Sequence, residues 1–226
     1  MDEIIHYYND LAEIYDEDRF NNSYGKYIDS QERVILNKLL NNSGEIILDL
    51  ACGSGRLLNY ANIGVDASSK MLEISKAKFP AKEIYLCAAE NIPLDNNSVD
   101  TIISFHFFMH LNQPSIDKIL KECYRILKPN GRIIFDIPSK KRRALLRYKS
   151  PGWHGAYSST IAALNQNSNF NVNQAYGVLF LPIHRFPEFA RKLFLKIDLI
   201  LGNSILKEYC SYIIVEYQKN EFKENP

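Results

Sequence analysis

The sequence predicts an α/β fold built on a buried parallel sheet. An apolar run that begins at Ile46 is typical of a strand that is covered on both faces. Gly53 and Gly55 follow this run, and glycines at such a point let the backbone turn sharply and approach a ligand closely. Further strand patterns alternate with helical patterns along the chain, as expected for strands joined by crossover helices. We therefore expect a ligand at the turn after the first strand, where a helix N-terminus presents unpaired N–H groups.

The composition is that of an ordinary globular domain. The chain has 226 residues, of which 46% are hydrophobic and 23% charged, enough for one large domain. With 27 basic and 26 acidic side chains, the chain has too little net charge to create a strong electrostatic field, so no nucleic-acid partner is expected. Its four cysteines lie far apart in apolar surroundings, which indicates buried thiols in a reducing compartment. We find no signal-peptide pattern and no apolar run of about 18 residues, and expect a cytoplasmic protein without stable membrane insertion.

The spacing of the glycine loop separates two classes of cofactor. A dinucleotide site needs a third glycine in Gly-x-Gly-x-x-Gly, and this chain has Leu58 there. The spacing that fits is an acid followed by small residues at alternate positions, namely Asp49, Ala51, Gly53 and Gly55. The string Leu-Asp-Leu-Ala-Cys-Gly-Ser-Gly resembles the cofactor loop of class I S-adenosylmethionine-dependent methyltransferases, close to the type 11 or UbiE-like group. Most of that family has glycine where this chain has Ala51.

The resemblance implies a fold and a cofactor. The fold would be a Rossmann-like seven-stranded sheet in the order 3-2-1-4-5-7-6, with the last strand antiparallel and helices on both faces. The cofactor would be S-adenosyl-L-methionine. The residues expected at the cofactor are Tyr15, Asp49, Ala51, Cys52, Gly53, Gly55, Asp66, Ala67, Met71, Ala89, Glu90, Ser104 and Phe105.

The N-terminal region, residues 2–40, has a helical pattern that is rich in tyrosine. The segment from Tyr7 to Asp16 resembles the N-terminal lid of the UbiE-like group, in which aromatic hydroxyls lie over the cofactor, and Tyr15 is the candidate. A helical cap whose tyrosines simply cover apolar surface is the alternative.

A short segment separates the first two strands. Residues 56–62 are expected to form a very short helix before the second strand, residues 63–66, which is compact for a parallel crossover. Asp66 ends that strand, where a carboxylate can accept hydrogen bonds from both ribose hydroxyls. Ser68 and Ser69 open the next helix, and Ala67 and Met71 are expected beside the adenine, with core packing as the alternative for Met71.

The third strand is expected over residues 83–88. The segment from Cys87 to Asp100 resembles the family's Asp-Ala-Glu-x-Leu-Pro-Phe segment with its later Ser-Phe-Asp. Ala88 replaces the aspartate that commonly bonds the adenine amino group, which leaves the backbone N–H groups of Ala89 and Glu90 to read the base.

The fourth strand, residues 101–105, is expected to end at the sheet edge where open α/β sheets bind ligands. Ser104, Phe105 and His106 are therefore expected where the sulfonium meets the incoming acceptor. His106 and His110 could share one helical face and bind a metal. No third ligand stands at a zinc spacing, so no metal site is expected.

The later segments complete the sheet. We expect a helix over residues 115–127, a turn at 128–131, strands over 132–137 and 170–181, and a final strand over 207–218. The basic run at 140–143 is expected to be solvated, with an electropositive rim for an anionic substrate as the alternative. The helix over 186–201 carries Arg191, Lys192 and Lys196 among apolar residues. Core packing is the expected reason for its apolar face, with contact to a membrane as the alternative.

A loop over residues 150–157 carries Trp153, His154 and Tyr157, which we take as candidate substrate-site residues because this region of the fold varies with substrate. A packed surface loop is the alternative. We expect one domain over residues 1–226. It divides into a helical cap (1–42), a cofactor-binding core (43–138), a substrate-side insertion (139–168) and the final strands and helix (169–219).

The expected function is methyl transfer to a small-molecule acceptor by in-line displacement. A sulfonium methyl is already electrophilic, so the protein mainly has to align a nucleophile and exclude water. Where the acceptor needs a general base, the candidates are His106, His154 and Tyr157.

Other functions remain open. A NAD-dependent oxidoreductase is opposed by Leu58, whereas a SAM-binding regulatory subunit without turnover is permitted by Ala51 and Ala88. The near-neutral charge argues against an RNA methyltransferase. The sequence indicates no oligomeric state.

Overall fold

Seven strands form one sheet in the order β3-β2-β1-β4-β5-β7-β6 in the computed structural model, which describes residues 2–40, 44–149, 152, 153 and 155–220. β1 pairs in parallel with β2 and β4, and β5 pairs antiparallel with β7. The predicted fold class and strand order are confirmed. The strands are β1 Ile47–Leu50, β2 Ile63–Asp66, β3 Glu83–Leu86, β4 Val99–Ser104, β5 Leu127–Pro138, β6 Phe170–Val178 and β7 Tyr212–Lys219.

Helices cover both faces of this sheet. They are α1 Asp2–Leu11, α2 Tyr15–Phe20, α3 Ser23–Leu39, α4 Ser69–Lys78, α5 Gln113–Ile126, α6 Lys140–Leu145, α7 Ile161–Leu164 and α8 Glu188–Gly202. No helix in the described ranges is both long and apolar enough to cross a membrane.

Strand β1 shows how the alternation of side chains divides the core. Leu48 and Leu50 are fully buried on the face that α5 covers, where they share a cluster with Ile119. Ile47 packs with Leu36 of α3 on the other face. Asp49 is on the same side of the strand as Ile47, because alternate strand residues point the same way. The acid in this apolar run therefore lies on the face covered by α3.

Several predicted boundaries differ from the structure. Residues 56–62 form successive turns with hydrogen bonds such as Leu58 N to Gly55 O rather than a short helix, because the chain must reach β2 directly. The N-terminal helical pattern is divided into α1, α2 and α3. The final strand begins at Tyr212, since residues 207–209 form a 3-10 helix.

Candidate cofactor site

The loop after β1 has a left-handed turn at its first small residue. Ala51 has φ +60°, and Gly53 and Gly55 have φ +53° and +88°. A residue with a Cβ pays about 1–2 kcal/mol in this conformation, which explains why glycine is the usual residue at position 51 in the UbiE-like loop. The Cys52 N–H donates to the Val65 carbonyl at 3.0 Å, so the turn is tied to the neighbouring strand.

Asp66 at the end of β2 holds this loop in place. One of its carboxylate oxygens accepts the Gly53 N–H and the other accepts the Ser68 N–H, each at 2.8 Å. Burial raises the pKa of Asp66, and these N–H donors act in the opposite direction. Each carboxylate oxygen can accept more than one hydrogen bond, so both retain the capacity to accept a ligand hydroxyl.

Asp49 places a buried carboxyl group near the same turn. The residue is only 3% exposed, and its Oδ2 has no hydrogen-bond partner among the described residues. Burial raises its pKa from 3.8 to about 8, with Arg56 opposing the shift and Asp66 adding to it. A buried oxygen without a donor is costly, so this position suits a ligand that brings a cationic or N–H donor group.

Two adjoining cavities meet at this loop. Both are lined by Tyr15, Ala51, Gly53, Phe105 and His106. The first extends along β2 and the segment after β3, where it is lined by Asp66, Ala67, Met71, Ala88, Ala89 and Glu90. The second extends toward α3, where its walls include Asp49, Cys52 and Arg56. The shared wall makes them one elongated site.

Helix α1 forms a lid over the first cavity, with Ile4, Ile5 and Tyr8 among its lining residues. The Tyr8 hydroxyl lies 3.0 Å from Nε2 of His110. The N–H of Gly155 donates to Nδ1 of the same ring at 3.3 Å, so a neutral His110 carries its proton on Nε2 and donates it to the Tyr8 oxygen.

Trp153 closes the outer side of this lid. Its ring makes edge contacts with Tyr7 and His110, at centroid distances of 5.4 Å in both cases. The lid helix and the loop around residues 152–157 are therefore joined through one histidine ring.

His106 lies among buried carboxylates supplied by distant segments. Its Nε2 is 2.9 Å from Glu32 of α3 and its Nδ1 is 3.5 Å from Asp136 of β5. Its backbone N–H donates to Asp136 at 2.6 Å, and its φ of +57° turns the chain toward both acids. Burial by itself would raise the pKa of Glu32, but His106 and Arg56 outweigh burial and lower it. Burial raises the pKa of Asp136.

His106 and His110 do not share one helical face, so the metal-binding alternative weighed for this pair is not formed. His106 precedes the 3-10 helix Phe108–His110, and its left-handed backbone directs the ring toward α3. Glu32, His106 and Asp136 do offer ligand-type atoms within 4.8 Å of one another. Arg56 already supplies positive charge there, with Nη1 2.7 Å from Glu32. The cluster is therefore at least partly compensated by the chain's own cations.

Comparison with known proteins agrees with this geometry. Residues 48–135 match the profile of a family described as the methyltransferase domain. The cofactor half of this chain therefore matches a methyltransferase domain. The resemblance found in the sequence is thereby confirmed.

Curated relatives match this methyltransferase domain over part of their length. Malonyl-[acyl-carrier protein] O-methyltransferase from Marinomonas sp. is 33% identical over 138 residues, which are 54% of this chain and 50% of that protein. Ubiquinone/menaquinone biosynthesis C-methyltransferase UbiE from Campylobacter jejuni is 30% identical over 150 residues, which are 59% of this chain and 63% of that protein. The chain spans about half the length of the curated relatives it matches first.

A solved structure resembles the methyltransferase domain and the elements beyond it. It is a SAM-dependent methyltransferase from Thermotoga maritima, described as a possible histamine N-methyltransferase. It covers 95% of this chain and 99% of its own, with a TM-score of 0.68 at 20% identity. At this identity the likeness shows the fold.

Most of the residues expected at the cofactor line the two adjoining cavities. They are Tyr15, Asp49, Ala51, Cys52, Gly53, Asp66, Ala67, Met71, Ala89, Glu90 and Phe105. The side chain of Glu90 also carries a buried Oε2 without a hydrogen-bond partner among the described residues.

Ser104 and Gly55 do not line either cavity. The fully buried Ser104 hydroxyl donates to the Leu50 carbonyl at 2.9 Å and so joins β4 to β1. Gly55 lies in the turn beneath the loop, where an added Cβ would meet the Phe79 ring at 3.0 Å.

The candidate bases are not brought together. His106 lines the cavities, whereas Tyr157 lies in a separate cavity beside α7, with its N–H bonded to the Met109 carbonyl at 3.0 Å. His154 lies outside the described residues. Sequence reasoning missed Glu32 and Asp136, although a lone acid inside the apolar run of β5 was a usable signal.

Proposed function

We propose that this protein transfers the methyl group of S-adenosylmethionine to a small-molecule acceptor. The observation that carries the proposal is the oxygen of Asp49 that has no hydrogen-bond partner among the described residues. Asp49 lines one of the two adjoining cavities and Asp66 lines the other. These two acids match the two polar ends of an adenosyl amino acid, an ammonium group and a ribose diol. Orphaned polar atoms in a shaped cavity are what a missing ligand would satisfy.

Three carboxylates fit three polar groups of this cofactor. Asp66 would accept the ribose hydroxyls and Asp49 would pair with the amino group, which satisfies Oδ2. Glu90 Oε2, buried beside Ala89, would accept a hydrogen bond from the adenine amino group and so replace the aspartate absent at Ala88. When bound, this cofactor supplies a methyl group on a positively charged sulfur, which is already activated toward nucleophiles.

The chain's own contribution is to close the site and orient the acceptor. Tyr8 and Tyr15 both line the first cavity, and burial raises the pKa of each phenol, so both stay neutral. Neutral aromatic walls exclude water and bring an acceptor into line without adding a competing nucleophile. The ring of His110 fixes the orientation of the Tyr8 oxygen, as described above.

The acceptor is a small molecule because the site is enclosed. Helix α1 lies over the cavity, and the chain carries 27 basic against 26 acidic residues, which disfavours a nucleic-acid substrate. The relatives and structural neighbours carry different names: one is named for malonyl-[acyl-carrier protein], one for ubiquinone/menaquinone biosynthesis and one for phosphoethanolamine. Their names therefore select no single acceptor for this chain.

A calorimetric comparison of cofactors tests the proposal. S-adenosylhomocysteine should bind the parent protein and raise its melting temperature, whereas NAD should do neither. Asp66→Ala should lose most of this binding, and Asp95→Ala, which removes an exposed carboxylate, should keep it. Equal binding by Asp66→Ala and the parent, or stabilisation by NAD alone, would overturn the assignment.

Turnover distinguishes an enzyme from a binding subunit. Formation of S-adenosylhomocysteine from S-adenosylmethionine should appear with at least one member of a panel of small amines, phenols, carboxylic acids and enols. Tight cofactor binding without transfer to any of them would favour the regulatory alternative.

A further inference from the structure

Helix α8 has its apolar residues on the outside. Phe189, Leu193 and Ile200 are 86%, 73% and 69% exposed, and Ile197 is exposed beside them. At helical spacing these four side chains lie within an arc of about 80° around the helix axis, and so on one face. The buried residues of this helix are Asp198 and Gly202. The expectation that core packing explains the apolar face is therefore wrong for this stripe.

Polar and backbone contacts explain why helix α8 is oriented with its apolar stripe toward solvent. The Asp198 carboxylate accepts the N–H groups of Phe180 and Leu181 at 2.8 and 3.2 Å and the Tyr27 hydroxyl at 3.1 Å. At Gly202 an added Cβ would lie 2.1 Å from the Gly177 carbonyl oxygen. These anchors require the Asp198 side to face inward, and the apolar stripe is left in solvent.

More apolar surface adjoins the end of this helix. Ile205, three residues after α8, is 94% exposed. The 3-10 helix Lys207–Tyr209 follows, and the Tyr209 carbonyl accepts a hydrogen bond from Arg142 of α6 at 3.0 Å. At the end of α6, Leu145 and Leu146 are also exposed. We call Phe189, Leu193, Ile197, Ile200, Ile205, Leu145 and Leu146 together the apolar rim.

Basic side chains border the apolar rim. Lys192 and Lys196 are exposed on α8, next to the stripe in helical projection, and Arg147 and Lys149 are exposed after α6. The exposed acid of α8 is Glu188, which accepts a hydrogen bond from Ser23 at 2.6 Å. These four basic side chains give the border of the rim a local positive charge, whereas the whole chain has a formal net charge of only +1.

This combination of charge and apolar area selects one kind of partner. A helix that presents aromatic and branched apolar residues with lysines along one side is suited to the interface of an anionic bilayer. A second copy of the chain fits poorly, because antiparallel two-fold pairing of α8 would place the lysine-bearing sides of both copies together. The four neighbouring apolar residues of α8 also form a patch, unlike the isolated exposed residues of an ordinary surface.

We propose that the protein docks on anionic membrane surfaces through the apolar rim, with α8 lying in the headgroup region parallel to the membrane plane. Bound in this way, α8 places its N-terminal end, joined to Ser23, at the same surface as the start of α3. The docking is peripheral, since the helix inserts its exposed stripe and does not cross the bilayer. It does not depend on the proposed methyl transfer, and it is measured without turnover.

Vesicle flotation tests the proposal directly. The protein should float with phosphatidylcholine vesicles that contain phosphatidylglycerol, bind vesicles of phosphatidylcholine alone at least tenfold more weakly, and dissociate as salt is raised. Leu193→Asp should reduce binding to the anionic vesicles at least tenfold. The double variant Lys192→Glu, Lys196→Glu should lose the preference for anionic vesicles.

Leu86→Asp is the matched control. Leu86 is 57% exposed on β3 at the far edge of the sheet, so the same substitution there should leave vesicle binding unchanged. Circular dichroism and light scattering on each variant establish that it is folded and report its oligomeric state. Unchanged flotation of Leu193→Asp, absence of binding by the parent, or a dimer that Leu193→Asp dissociates would each overturn the proposal.

Discussion

Replacing Asp49 with asparagine should remove a proton that the ligand-free protein releases when it binds its cofactor. Burial holds the pKa of Asp49 at about 8, against an ordinary value of 3.8. Arg56 and Asp66 are the charged groups that act on it, in opposite directions. A ligand ammonium group paired with Oδ2 favours the ionised carboxylate, so binding must expel the proton.

The size of this effect follows from the raised pKa. A group with a pKa of about 8 is about 90% protonated at pH 7, so binding at pH 7 should release about 0.9 proton. Affinity for S-adenosylhomocysteine should rise about tenfold per pH unit below pH 8 and level off above it. The same shift acts on folding. Because the folded pKa lies above the unfolded one, this contribution to the stability of the ligand-free protein is full below about pH 4 and is lost as pH rises through about 8.

Titration calorimetry in buffers of different ionisation enthalpy measures the proton release. Asp49→Asn should bind more weakly at pH 8, show no linked proton, and have a flat pH dependence between pH 6 and 8. Asp66 also has a raised pKa, but neutral ribose hydroxyls do not require it to ionise, so the released proton is assigned to Asp49. A parent protein that releases no proton at pH 7, or an Asp49→Asn variant that releases as much as the parent, would refute the reasoning.

Three further changes test the loop, the anchor of α8 and the lid. Ala51→Gly should raise the melting temperature of the ligand-free protein by about 1–4 °C. The substitution removes left-handed backbone strain, and this gain exceeds the free-energy cost of the added entropy of the unfolded chain. Scanning calorimetry would show a decrease in melting temperature if this is wrong. Asp198→Ala should lower the free energy of unfolding in urea by about 3 kcal/mol and Tyr27→Phe by about 1 kcal/mol, since the first leaves three donors without an acceptor; equal losses would contradict this. Tyr8→Phe should speed cofactor release about fivefold, because it weakens the lid. Stopped-flow fluorescence of Trp153, the sole tryptophan, would measure the rate of release, and an unchanged rate would argue against a lid role.

The parts of the site that could be predicted are contiguous in the chain. Asp49 lies near the end of β1, Ala51 and Gly53 lie in the turn that follows it, and Asp66 ends the next strand, so their spacing placed them at a common edge of the sheet. The strand order followed from the family resemblance that these residues carry. The short crossover was also predictable, although its turns were expected to be a helix.

The environment of His106 could not be predicted in this way. Glu32 comes from α3 and Asp136 from β5, and only the packing of α3 on the sheet brings them beside the ring. The expectation that His106 can serve as a general base remains a prediction, and both of its nitrogens lie beside carboxylates in the structure. Ser104 likewise was placed by strand position, but the direction of its hydroxyl was decided by the neighbouring strand.

By itself, the sequence determined the cofactor loop, the alternation of strands and helices, and the existence of an apolar stripe on the last long helix, because each depends on spacing between near neighbours. Only the tertiary structure decided which face of α8 is buried. The three donors to Asp198 come from the segment after β6 and from α3. Their hydrogen bonds outweigh the preference of Phe189 and Leu193 for the interior. The local pattern thus specifies the secondary structure of a segment and its polar and apolar faces. The partners that satisfy buried polar groups come from distant parts of the chain and are known only once it has folded.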